Sequence, residues 1–306
     1  HGTYNRRTLR FYREGRLRPG GVLISRDKTL LMGAVAYHPK VVTIWDGFQQ
    51  YFAENNLSFD YVLYSNYEQQ VEAHFRGHID VAWNSPLAWL QTDRLAEILN
   101  RRANAICMRD TDQNLTSVII VRSDSPIQQI KDLYNKRVGV GAYDSPQATL
   151  IPLYLLKSEG LQPQKDFDVV AFDVMVGKHG DHIGGEREAA TALKSGQVNA
   201  ACLLDSNLLT FSQEGLFSPG TVKVIGRTPI YDHCNFTVLD KRYPDLVERF
   251  QTLLLDMSYS NPKVRPLLDL EGLKAWRPGR TKGYGPLQKA IASFGTIEKF
   301  TKELAT

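Results

Sequence analysis

A chain of 306 residues with 42% apolar side chains is long enough to bury two cores of ordinary domain size, which excludes a disordered or low-complexity protein. The formal charge of +4 is concentrated: Arg6, Arg7, Arg10, Arg13, Arg16 and Arg18 stand against Glu14 within the first 21 residues, so the remaining 285 carry −1 and are no nucleic-acid polycation. Cys107, Cys202 and Cys234, odd in number and without C-x-x-C spacing, exclude a fully paired disulfide framework, and no apolar run reaches membrane-spanning length.

The opening segment, NRRTLRFYREGRLRPGG, resembles the second half of a MerR-type helix-turn-helix. About 20 residues cannot form that domain's core alone, and no apolar stretch follows the arginine pair as an export signal requires. Residues 1–25 are therefore expected to be a basic leader or remnant outside the fold, with a truncated regulator as the alternative. TLLMGAVA (29–36) then reads as a strand, YHPK as a loop and VVTIWDGFQQYFAENN as an amphipathic helix. FDYVLYS, NYEQQVEAHFRGH, IDVAWNSP and LAWLQTDRL repeat this rhythm; Trp45 and Trp89 fall at core positions, and His74 and His78 at a helix end read as solvated.

A second unit starts near Thr116. SVIIVRSDS is a strand, PIQQIKDLYN a helix capped by Ser125, and KRVGVGAYDS a strand running into a helix over 146–159 that starts with Ser145 as N-cap and Pro146 at the first helical position. FDVVAFDVM, EREAATALKSG and VNAACLLD follow as strand, helix and buried strand, and after VKVIGRTPIYDHCNFTVLD the chain turns helical to its end. The chain is α/β, with ligands expected in the loops after GAVA, DVAW, VGVGA and CLLD, at the carboxyl ends of strands.

SVIIVRSDSPIQQIKDLYNKRVGVGAYDSPQATLIPLYLLKSEGL, GGEREAATALKSGQVNAACLLDSN and GHIDVAWNSPLAWL together resemble the phosphate/phosphonate solute-binding proteins of ABC importers over most of residues 29–240. The resemblance implies a two-lobed periplasmic-binding-protein-like fold with a central, mainly parallel sheet in each lobe and a hinged cleft. Lobe 1 would hold residues 26–115 plus 232–306 and lobe 2 residues 116–231. It further implies a monomer without cofactor that closes around a small polar solute and presents it to a membrane permease, in the periplasm or another extracytoplasmic space if a signal has been removed.

Matched one at a time, the family's strand-end serine falls on Ser145, but the hydroxyls after it fall on Pro146 and Gln147; its cleft histidine falls on Glu186, its later acid on Asp205, and its hinge aspartate on Asp232 or His233. Anion donors are traded for acceptors. A phosphonate beside Glu186 requires a cation to offset repulsion, so an aminoalkyl-phosphonate fits, with its ammonium between Glu186 and Asp205 and its anion at Ser145, Gln147, Asn84 and Ser85. Tyr37, His38, Trp83 and Tyr143 would line the cleft. Other readings stay open: a neutral or cationic polar solute satisfies the carboxylates equally, and Glu186 could serve only the start of its own helix and point away. His179, His182, Glu186 and His233 have the ligand types of a divalent-metal site, and His182, Glu186, Asp205 and His233 could serve a small-molecule synthase, decarboxylase or dehydratase on the same fold, though no catalytic motif is present.

Overall fold

Two sheets, each mixed in strand direction, organise the chain, which a computed structural model describes over residues 28–173, 177–180 and 184–304. The first takes β1 (Leu30–Val35), β2 (Phe59–Tyr64), β3 (Val81–Asn84), β4 (Ala103–Arg109), β10 (Asn235–Leu239) and β11 (Trp276–Pro278) in the order β11-β4-β10-β3-β1-β2. The second takes β5 (Ser117–Arg122), β6 (Arg137–Val140), β7 (Asp168–Ala171), β8 (Ala200–Leu204) and β9 (Val222–Arg227) in the order β7-β6-β8-β5-β9. The basic segment lies outside the described residues.

Each sheet is less parallel than the sequence suggests. β1 pairs in parallel with β2 and β3, and β6 with β7 and β8, whereas β5 and β10 are antiparallel to both their neighbours. β5 and β10 are the strands on which the chain arrives from the other lobe. They enter from the cleft side, against the direction set by the βα units.

Helix α1 (Lys40–Glu54) shows how the first core forms: Val41, Ile44, Trp45, Phe48 and Phe52 recur at helical spacing and are its buried face. They meet an aromatic nest in which Phe236 lies 4.6 Å from Trp83 and 5.4 Å from Trp276 between ring centroids. The predicted helix over PIQQIKDLYN shrinks to a single 3-10 turn, Ile130–Leu133. The Asp132 carboxylate accepts from the N–H groups of Gln128 and Gln129 (2.9 and 3.2 Å) and Ser125 Oγ from that of Ile127 (3.1 Å), so side chains take the role of the helical ladder. His74 is buried rather than solvated, because α2 (Tyr67–Phe75) packs it inward, and burial pushes its pKa down to about 3.

Residues 110–116 and 228–234 link the two sheets, and they pair with each other: Leu115 N donates to Tyr231 O (2.7 Å) and Tyr231 N to Leu115 O (2.9 Å). Two forked ion pairs clamp this crossing. Arg109 Nε and Nη2 donate to Asp112 (2.7 and 2.9 Å), and Arg280 Nε and Nη2 donate to Asp232 (2.6 and 2.7 Å). Behind the crossing, Leu287 and Ile291 of the helix Gly285–Phe294 pack in one apolar cluster with Leu87 and Leu90 of the first lobe and Leu150 and Ile151 of the second.

Candidate functional site

The candidate site lies where strand ends of the two lobes face each other. At the end of β3, Ser85 caps α3 (Pro86–Ile98): its Oγ accepts from Ala88 N (3.0 Å), with Pro86 at the first helical position. Asn84, fully buried, is turned away into hydrogen bonds with Thr237 Oγ1 (2.9 Å) and Gln70 Nε2 (3.0 Å). At the end of β6, Ser145 Oγ accepts from Ala148 N (3.2 Å), again followed by proline.

The turn after Ser145 is a π-turn, Pro146–Leu150, leading into α4 (Ile151–Ser158). Proline chemistry explains it. Pro152 has no N–H for Ala148 O, which instead accepts from Gly141 N (3.3 Å) and ties the turn to the end of β6. Leu150 N reaches back to Ser145 O (2.9 Å) and Ile151 N to Pro146 O, leaving Gln147 O to accept from Ser117 Oγ (2.5 Å). The Gln147 side chain is thereby aimed into the cleft, where Nε2 donates to Gly180 O (2.5 Å) and lies 3.4 Å from Glu186 Oε2. Its Oε1 then faces His233 Nε2 at 3.0 Å, so that nitrogen carries the proton.

Glu186, near the start of α5 (Gly184–Ser195), is 2% exposed. Its Oε1 accepts from Leu204 N (2.7 Å), and no cationic side chain pairs with it among the described residues. Burial pushes its carboxyl up, against the pull of the Leu204, Asn207 and Gln147 hydrogen bonds. Asp205 opens α6 (Asp205–Gln213) but pairs at the surface with Arg227 (2.7 Å), so the structure does not show it meeting Glu186.

The remaining expected residues divide. Trp83 belongs to the aromatic nest, with the Arg109 guanidinium 5.1 Å from its ring. Tyr37 packs against the same nest, His38 is exposed with Nδ1 accepting from Lys40 N (3.1 Å), and Tyr143 is 59% exposed. His182 lies outside the described residues. Of the metal candidates, His179 and His233 engage separate partners, and the metal-type cluster that does form among the described residues is Asp112, His233 and Cys234. Asp112 is already held by the Arg109 fork, whose positive charge opposes a cation there.

The sequence offers His179 only as a metal ligand; its partners Glu68, Tyr67 and Asp144 are not legible there. His179, on a short crossing segment, places Nε2 2.6 Å from Glu68 Oε1 and Nδ1 2.7 Å from Ser85 Oγ, with its ring stacked 4.7 Å from that of Tyr67. Burial opposes the charged form of Glu68, but the His179 contact, with a backbone N–H and Gln91 donating as well, holds the carboxyl below its ordinary value. Asp144, opposite, is pushed up by burial, which outweighs His179 and the hydrogen bond its Oδ2 accepts from Gly177 N (2.6 Å). Tyr67 and Glu68 stand just past the end of β2, so the strand-end rule that singles out Ser85 and Ser145 also covers them.

Comparison with known proteins adds the lineage. The family model described as "ABC transporter, phosphonate, periplasmic substrate-binding protein" matches residues 33–284. Among solved structures, PhnD1 from Prochlorococcus marinus (MIT 9301) in complex with methylphosphonate is similar with a TM-score of 0.67 and 17% identity, over 88% of this chain and 99% of that one. A Xanthomonas citri protein bound to ATP gives 0.65 and 16% over 89% and 98%. A binding-protein component of an ABC phosphonate transporter from Pseudomonas aeruginosa gives 0.60 and 14% over 92% and 96%. At these identities the structural likeness concerns the two-lobed fold.

Proposed function

The chain belongs to the family of ABC-transporter periplasmic phosphonate substrate-binding proteins, and from that premise we propose that its cleft takes a small organophosphonate carrying a protonated amine. The family works outside the cytoplasmic membrane, binding a small solute for a permease. The phosphonate would sit between the helix starts at Ser85 and Ser145, whose N–H groups and dipoles favour an anion. The amine would lie toward Glu186.

The observation that carries the reading is Glu186 itself: a carboxylate 2% exposed, beside an anion-accepting turn, with hydrogen-bond donors but no cationic side chain among the described residues to match its charge. A plain phosphonate there meets repulsion, whereas an ammonium turns the same group into a charge-assisted partner. Pro146 fits the same picture, because it removes one N–H that a fully charged phosphate would use.

Glu186→Gln tests the assignment. The amide oxygen still accepts from Leu204 N, so the fold keeps its contact while the charge is lost. Calorimetric titration is expected to show a loss of about 1–3 kcal/mol for 2-aminoethylphosphonate, and equal or better binding of methylphosphonate. An equal loss for both ligands would contradict the assignment.

A further inference from the structure

The segment Gly177 to Gly180 crosses from the second lobe to the first and covers both helix starts at once. Tyr67 N donates to Gly177 O (3.0 Å), and Lys178 Nζ donates to Ala36 O (2.7 Å) and Ser65 O (2.5 Å). His179, with no exposed surface, spans Ser85 and Glu68. One residue on, Gly180 lies so close to the other helix start that a Cβ at this position would fall 2.7 Å from Ser145 Cβ. The backbone is left-handed at Gly177 (φ +85°), His179 (+50°) and Gly180 (+68°). A histidine adopts that conformation only at a cost in backbone strain, which the docked contacts offset.

Hydrogen-bond capacity makes this arrangement exclusive. Ser85 Oγ already accepts from Ala88 N, and its remaining contact is with His179 Nδ1: a neutral ring whose Nε2 donates to Glu68 takes the Ser85 proton, and an imidazolium instead donates Nδ1–H to the Ser85 oxygen. In either state a solute oxygen cannot share the volume beside Ser85 and Ser145 that the buried imidazole and Gly180 hold. We propose that residues 177–180 form a latch that competes with the solute: His179 ties the lobes together across the cleft, and a solute gains the two helix starts only by displacing it. The latch deepens the reading of this cleft as the solute site, and it sets affinity by taxing the binding-competent population.

The test compares the wild type with His179→Ala in two readouts. Small-angle scattering without added solute is expected to show a larger radius of gyration for the variant, because its lobes lose the bridge. Titration with 2-aminoethylphosphonate and methylphosphonate is expected to show about 10-fold tighter binding of whichever ligand the wild type takes. Glu68→Ala cuts the same bridge from the other lobe and should move both readouts in the same direction, so one unstable variant does not decide the matter. Weaker binding in the His179 variant would make His179 a solute contact and overturn the latch. If neither phosphonate binds the wild type, the solute assignment fails while scattering still decides the latch: an unchanged radius in both variants overturns it.

Discussion

Asp112→Ala is expected to lower folding stability by about 3–5 kcal/mol, the range for removing one partner of a buried ion pair. The Asp112 side chain is 1% exposed and serves the crossing from several sides: it receives the Arg109 fork and accepts from Cys234 N (3.1 Å), while its backbone oxygen accepts from His233 N (2.7 Å). Burial alone would raise its carboxyl, but Arg109 and the His233 contact overrule burial and hold it at about 2. Its contribution is therefore complete above the ordinary aspartate range near 4 and is lost as pH falls toward about 2. In the variant Arg109 keeps Glu271 as its acidic partner, whose carboxyl burial has pushed up to about 7 against the pull of Arg109 and with help from Asp112. Removing Asp112 lets Glu271 ionise more readily, which places the loss toward the lower end. Thermal denaturation at neutral pH should show a fall in Tm on the order of 10 °C; a fall below about 2 °C would mean that the crossing does not depend on this pair.

Trp83→Ala carries an effect of similar size for a different reason. The ring is 6% exposed and lies 4.6 Å from Phe236 and 5.8 Å from Trp276, so alanine leaves a cavity that the surrounding strands cannot close, at about 3–5 kcal/mol. Trp83→Phe fills much of that space. It should recover most of the stability and leave solute affinity within about 0.5 kcal/mol, the ordinary scatter for residues off the site. A Phe variant that is stable but binds 2-aminoethylphosphonate many-fold more weakly would return Trp83 to the cleft wall.

Trp83 also marks where a sequence stops being readable. Its position at a strand end is compatible with cleft or core, and the choice is made by Phe236 and Trp276, which arrive from far along the chain. Ser85 and Ser145 were legible because an N-cap serine followed by proline is a local rule. The π-turn follows from Pro152 only once Gly141 and Ser117 are known to receive the displaced carbonyls. Asp205 was expected in the cleft, yet its partner Arg227 sits on β9, two strands away in the sheet from the end of β8. β4 was not singled out at all, since Ala-Asn-Ala-Ile-Cys-Met-Arg lacks a clean alternation. His179 reaches Glu68 across 111 positions, a distance at which no periodicity carries information.

A cleft that selects a solute bearing both a phosphonate and an ammonium should distinguish it from each half alone. The decisive comparison is calorimetric titration of the wild-type chain with 2-aminoethylphosphonate, methylphosphonate and inorganic phosphate. The aminated ligand is expected to bind more tightly than either of the others, by about 1–3 kcal/mol over methylphosphonate. Tight binding of inorganic phosphate with no advantage for the amine would contradict this selectivity.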